Sequence, residues 1–157
     1  MKNEAEFCGV IKHSLDNVYK IPDPSSDYAS TSLRCFDGVA TIKENDKQYF
    51  ICWEAKFMKA MQAFNFQRIE PHQNYWLNTF NKCENVRSYV ILGVSVSRGD
   101  NRAYIFEWND KMGELYNSKF SIHKKQLTSL PYNEIHKSQF EFKNIITYED
   151  LVSKNNV

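Results

Sequence analysis

The stretch SYVILGVSV (88–96) constrains the fold of this 157-residue chain more than any other. A strand with one face in water alternates apolar and polar residues, so a run with almost no alternation reads as a strand buried in the protein. The run is strand-sized and far short of a membrane span. A length of 157 residues suits one domain, 1–157, around one core. With 42% apolar and 25% charged residues the composition is globular, and the 11 Phe, 9 Tyr and 3 Trp supply core rings.

The flanking pattern fills in the elements. Phe7, Val10, Ile11 and Leu15 fall at helical spacing and predict an amphipathic helix over 3–15. IPDPSSDYASTS (21–32) reads as an exposed loop. RCFDGVATI (34–42) and QYFICWEAKF (48–57) read as two strands of an antiparallel hairpin, with a turn at 44–47. Pro71 suits the first turn of a helix that continues over 72–82, with Trp76, Leu77 and Phe80 on its apolar side. After the strand at 88–96 come a turn at 98–101 and a strand RAYIFEW (102–108). The order α-β-β-α-β-β predicts an α/β domain, an α+β mixed sheet. Short helices over 110–118 and 121–130, the second stopped by Pro131, and a strand NIITY (144–148) complete the chain.

Several classes are excluded. A formal net charge of +1 argues against polyanion binding driven by bulk charge. Lys111, Lys119, Lys124 and Lys125 read as a solvated face. Cys8, Cys35, Cys52 and Cys83 form no CxxC pair, and His13, His72, His123 and His136 form no HExxH. This predicts free thiols and no structural zinc. The N-terminal stretch lacks the apolar core of a signal peptide, and the expectation is a soluble, cytoplasmic protein with no membrane partner.

The chemistry concentrates on the strand 48–57. Side chains alternate faces along a strand. Ile51, Trp53, Ala55 and Phe57 form an apolar face, whereas the opposite face, Phe50 and Cys52, ends in Glu54 and Lys56. Asp37, on the partner strand before Gly38, can be brought against Glu54. Two close carboxylates favour a hard divalent cation such as Mg²⁺, which polarises a phosphate and acidifies a bound water. Lys56 would stabilise the charge growing on that phosphate. Taken alone, Glu-x-Lys on a strand is usually just a solvated pair.

The segment CFDGVATIKENDKQYFICWEAKFMKAMQAFNFQRIEPHQNYWL resembles the RecU-type Holliday-junction resolvases and their penicillin-binding-protein-related factor A relatives, within the PD-(D/E)xK nuclease superfamily. The resemblance rests on Phe36-Asp37-Gly38-Val39, Trp53-Glu54-Ala55-Lys56, Phe64-Asn65-Phe66 and His72-Gln73, and extends over about residues 4–125. It implies a restriction-endonuclease-like core. It further implies a Mg²⁺-dependent endonuclease, with Mn²⁺ as a substitute, and a homodimer cutting branched four-way DNA junctions. Carried over by position, Asp37 and Glu54 bind metal with help from the Ala55 carbonyl, Lys56 is the catalytic cation, and Gln73 contacts the site or the DNA.

Two positions depart from the family pattern. An acid expected three residues before Gly38 is Cys35, with Asp37 two residues later on the same strand face. A first-helix Glu falls at Cys8, leaving Glu4 and Glu6 as additional acids, with Glu4 one helical turn earlier on the same face. Arg34, Lys59 and Arg68 are the candidate DNA-backbone contacts. The 57–70 loop, with Met58, Met61, Phe64 and Phe66, is the nearest thing to a DNA-probing element, though its residues suit packing on the domain or on a partner. A restriction-type or repair endonuclease on the same fold, and a catalytically weakened DNA- or protein-binding module, remain alternatives.

Overall fold

The computed structural model describes residues 1–22 and 34–153. Of the loop read at 21–32, residues 23 onward lie outside the described residues. The architecture is α+β, built on a mixed sheet in the manner of a restriction-endonuclease-like fold. Its elements are α1 (Glu4–Ser14), β1 (Asp16–Lys20), β2 (Gly38–Glu44), β3 (Lys47–Met58), β4 (Phe64–Asn65), a 3-10 turn (Phe66–Arg68) and α2 (Pro71–Asn81). There follow β5 (Val86–Ser97), β6 (Asp100–Glu107), α3 (Asp110–Asn117), β7 (Ser121–Ile122), α4 (Lys124–Ser129), β8 (Asn133–Glu134), β9 (Ile145–Ile146) and α5 (Tyr148–Val152).

The main sheet runs β1-β2-β3-β5-β6-β8, with β9 also pairing β6. β2 and β3 form an antiparallel hairpin closed by Asn45 and Asp46. Both turn residues have positive φ (52° and 65°), as a two-residue turn matching the strand twist requires. β3 and β5 are parallel. Parallel neighbours need a crossover, and here the chain between them carries the 3-10 turn and α2.

The strand at 88–96 lies in the middle of this sheet, and its residues feed two cores. Val90, Leu92 and Val94 join one buried cluster with Cys52, Met58, Leu77, Tyr104 and Phe106. Tyr89 and Ile91 join another with Phe7, Ile11, Ile51, Trp53, Ala55 and Phe57. α1 covers the second face, and α2, α3 and α4 contribute Leu77, Met112 and Leu127 to the first. The alternation along β3 therefore sends Cys52 and Met58 to one face and Ile51, Trp53, Ala55 and Phe57 to the other.

Several local readings need correction. β2 begins at Gly38 and not at residue 34, because the backbone of 34–37 bends before the ladder starts. Residues 16–20, read as no element, form the edge strand β1, antiparallel to β2. The helix read over 121–130 is α4 at Lys124–Ser129, since Ser121 and Ile122 pair with Asn65 and Phe64. Residues 148–152, past the last strand, are helical. Phe64 and Phe66 of the 57–70 segment are fully buried, Phe66 against Phe106 and Trp108, so they build core and do not probe DNA. Trp76, read as apolar-side, remains 38% exposed while Leu77 is sealed.

Candidate metal centre

β2 stops short of its partner, and the site occupies the gap. The ladder ends at Gly38 opposite Trp53, two residues before Ala55. A side chain at position 38 would collide with the Trp53 indole and with the Tyr19 carbonyl, 2.7 Å from the added carbon, so glycine lets the bend close onto β3. In place of a ladder carbonyl, the Asp37 Oδ2 atom accepts the Ala55 N–H at 2.8 Å. That side-chain bond is the physical reason that Asp37 lies outside the strand. The carbonyl of a strand residue points to the same edge as its N–H, so the Ala55 carbonyl faces this gap as well.

Glu54 reaches the gap from β3 and is 1% exposed. Its Oε1 accepts the Gln73 amide from α2 at 2.7 Å and lies 3.3 Å from Lys56 Nζ. Its Oε2 is buried with no hydrogen-bond partner among the described residues. Gln73 is fixed in turn by its own carbonyl oxygen, which accepts the Glu70 N–H at 2.9 Å and caps α2. Asp37 Oδ1 accepts from Arg34 at 2.6 Å.

Glu4, from the first turn of α1, completes the group. Carboxylate oxygens of Glu4, Asp37 and Glu54 all lie within 4.8 Å of one another. Glu6 does not join them; it accepts the backbone N–H of Lys2 at 2.9 Å. The pattern of α1 contained this distinction. Glu4, Phe7, Cys8 and Ile11 follow the i, i+3, i+4, i+7 stripe that faces the sheet, whereas residue 6 is about 200° around the helix from residue 4.

Asp37 and Glu54 are buried and Glu4 is more open; three acids this close repel one another, and the titration of Glu54 registers this. Burial first, and then the Asp37 charge, push its carboxyl up to about 8 against the opposing pull of Lys56. Glu4 is also raised, chiefly by burial and then by Asp37, while Lys56, Arg68 and Arg34 act in the other direction. An unpartnered buried carboxylate oxygen is costly, and a cation among the three acids would satisfy it. Two oxygens on one Mg²⁺ ion stand at most about 4.2 Å apart, twice the usual ligand distance. The three acids lie within 4.8 Å of one another, at most about 0.6 Å beyond that reach, so small side-chain shifts would bring them onto one ion. The donors are all hard oxygens, the type that suits Mg²⁺, Mn²⁺ or Ca²⁺.

The remaining cations named from the sequence are placed unequally. Arg68 donates to the Phe57 carbonyl at 3.0 Å, which anchors it at the end of β3 within electrostatic reach of Glu4. Arg34 is engaged with Asp37 and with the Ile21 carbonyl. Lys59 is exposed, one residue past β3.

Residues 45–154 match the family of recombination protein U, RecU. The chain belongs to that family. The match carries the family's nuclease-type assignment and its association with recombination. Within the matched span lie Glu54, Lys56, Lys59, Arg68 and Gln73. Glu4, Arg34 and Asp37 precede it, so the match does not bear on them. No curated protein matches the chain. Among the described residues no helix is long and apolar enough to cross a membrane.

Proposed function

We propose that Glu4, Asp37 and Glu54, helped by the Ala55 carbonyl, hold a divalent cation, most naturally Mg²⁺, and that the protein is a structure-selective endodeoxyribonuclease that resolves four-way DNA junctions. The observation that carries this reading is Glu54, buried with one oxygen unpartnered among the described residues and two further acids within 4.8 Å. Structural carboxylates in folded proteins are paired. This one is paired through Oε1 alone, with Lys56 and Gln73, while Oε2 has no partner among the described residues.

Hydrolysis adds water across one P–O bond and leaves a phosphomonoester and a sugar hydroxyl. A bound divalent cation would supply neutralisation of the phosphate and a more acidic water. The side chains of this chain do the rest. Lys56, held 3.3 Å from Glu54, is positioned to stabilise the negative charge that grows on the phosphate oxygens. Gln73 holds Glu54 in one rotamer through a bond that is itself anchored at the α2 cap. Arg34 balances Asp37 and sits at the rim, where a DNA phosphate can be met by a planar fork of donors. Arg68 and Lys59 extend the positive rim beyond β3. A symmetric junction needs two cuts, so the working unit is a homodimer with one centre per subunit.

A cleavage assay tests this directly. Wild-type protein with Mg²⁺ should cut a four-way junction and leave a paired linear duplex of the same length largely intact. Glu54→Ala and Lys56→Ala should retain DNA binding and lose cutting. Cutting of linear duplex at a defined sequence would point to a restriction-type enzyme on the same fold. Binding of DNA without cutting in Mg²⁺ or Mn²⁺ would reduce the protein to a binding module.

A further inference from the structure

α2 carries a second feature, on the flank away from α3. Its inner face is occupied by Gln73 and Leu77, both buried. Its α3 flank is occupied by Asn74, which accepts from the Trp108 indole N–H at 2.9 Å, and by Asn78, packed at Gly113. The other flank is aromatic. Tyr75 and Trp76 stand with ring centroids 5.1 Å apart, Trp76 and Phe80 5.9 Å, and Phe80 and Phe36 5.5 Å. Four rings thus run from solvent to Phe36, the residue before Asp37. Tyr75 is 59% exposed and Trp76 38%, whereas Trp53 and Trp108 are fully buried.

We propose that Tyr75 and Trp76 form a stacking platform for an unpaired nucleobase of the DNA strand whose phosphate is bound at the acid centre. The inference rests on the nuclease reading above and names what distinguishes its substrate. The argument is one of continuity. The helix that presents the two rings also presents Gln73 to Glu54, and the row of rings ends on the residue that leads into Asp37. A strand lying across the centre therefore brings neighbouring bases toward this flank. In paired duplex those bases are stacked within the helix and offer no face to a protein ring. At a branch point the continuous stack is interrupted, and a base at the crossover can leave its pair and its stack more readily than one inside a duplex. Every base has a π-face, so such a platform selects for unpaired structure and not for sequence. Two adjacent large aromatics left in water are not needed for the core beneath α2, which Leu77 already closes.

The test uses the full protein with Ca²⁺ in place of Mg²⁺, and two probes, a four-way DNA junction and a paired linear duplex of equal length. Only Trp76 is exposed among the three tryptophans, so base stacking is read by its emission. The junction should quench wild-type emission and the paired duplex should not, and Trp76→Phe should abolish the signal. By fluorescence anisotropy, the ratio of junction to duplex affinity should fall about tenfold in Trp76→Ala, as expected for one lost base stack. Trp76→Phe, which restores a ring, should recover most of it, and this separates stacking from a folding defect. Equal quenching by both probes, or an unchanged affinity ratio in Trp76→Ala, overturns the platform. Wild-type cleavage of either DNA in Mg²⁺, measured alongside, keeps that outcome distinct. If the protein cuts but does not stack, only this inference falls, and if it neither binds nor cuts DNA, both readings fall.

Discussion

The two ends of β3 carry charge in opposite ways. Near its start, Arg87 lies 3.7 Å from the Tyr49 ring centre and bonds Glu44 at 2.8 Å, with Lys47 above the same ring. Arg87, Glu44 and Lys47 each have a partner there, and the group is open to solvent. Near its end, the buried Glu54 and Asp37 sit beside Glu4, and one Glu54 oxygen has no hydrogen-bond partner among the described residues. The first arrangement is what a sheet end acquires when charges only need to be soluble, and such exposed pairs contribute about 0–1 kcal/mol each. The second is a cost that folding alone does not explain. Matched charge in water marks a surface, whereas mismatched charge out of water marks a site.

That contrast can be broken by substitution, and the largest effect should come from Lys56. Removing its ammonium leaves the developing charge without a donor, so Lys56→Ala should slow Mg²⁺-dependent cutting by about 10²–10³-fold in single-turnover assays. DNA affinity should change little by comparison.

The second effect is one of stability and pH in metal-free protein. The folded carboxyl of Glu54 titrates at about 8, well above its ordinary value of 4.5. Between those two values the folded protein holds a proton that the unfolded chain has lost. Stability is therefore highest below 4.5 as far as this group is concerned, falls as pH rises, and is fully reduced above 8. Glu54→Gln keeps the shape and cannot ionise. It should be more stable than wild type at pH 8.5 by something on the order of a few kcal/mol, with the difference shrinking toward pH 5. Denaturant melts at the two pH values measure it, and equal differences would show that Glu54 does not carry the strain.

Gln73 ranks third. It touches the site only through Glu54, so Gln73→Ala should weaken metal affinity or cutting by about 10–100-fold, the range for a partner that orients a ligand. Gln73→Glu should weaken it by less at low pH, where a protonated carboxyl can still donate. The smallest effect belongs to the other end of the strand. Arg87→Ala should cost no more than about 1 kcal/mol in a thermal or denaturant melt, and should leave cutting unchanged. A loss of cutting there would erase the distinction between the two ends.

Much of this was legible in the chain. The alternation in QYFICWEAKF separates an apolar face from Glu54 and Lys56, because strand geometry leaves no other choice. The Pro71 start of α2 follows from local chemistry in the same way. Asp37 was legible as a residue but not as a conformation. Its carboxylate replaces a ladder carbonyl at Ala55, a long-range bond that no local pattern encodes. β1 was missed because DNVYK is short, mostly polar and interrupted by the positive φ of Asn17, and becomes a strand only through pairing with β2. The choice of Glu4 over Glu6 could have been made from helix phase. That its oxygens reach Asp37 and Glu54 depends on how α1 packs across the sheet, which only the folded chain determines.

The central claim is that the three acids form one divalent-cation site, and calorimetric titration of metal-free protein with Mn²⁺ at pH 7, repeated in two buffers of different ionisation enthalpy, tests it most directly. Wild type should bind and release a proton, because the cation must displace the one held by Glu54, and Asp37→Asn and Glu54→Gln should each lose the binding. Binding of undiminished affinity in both variants, or no binding in wild type, would contradict the account.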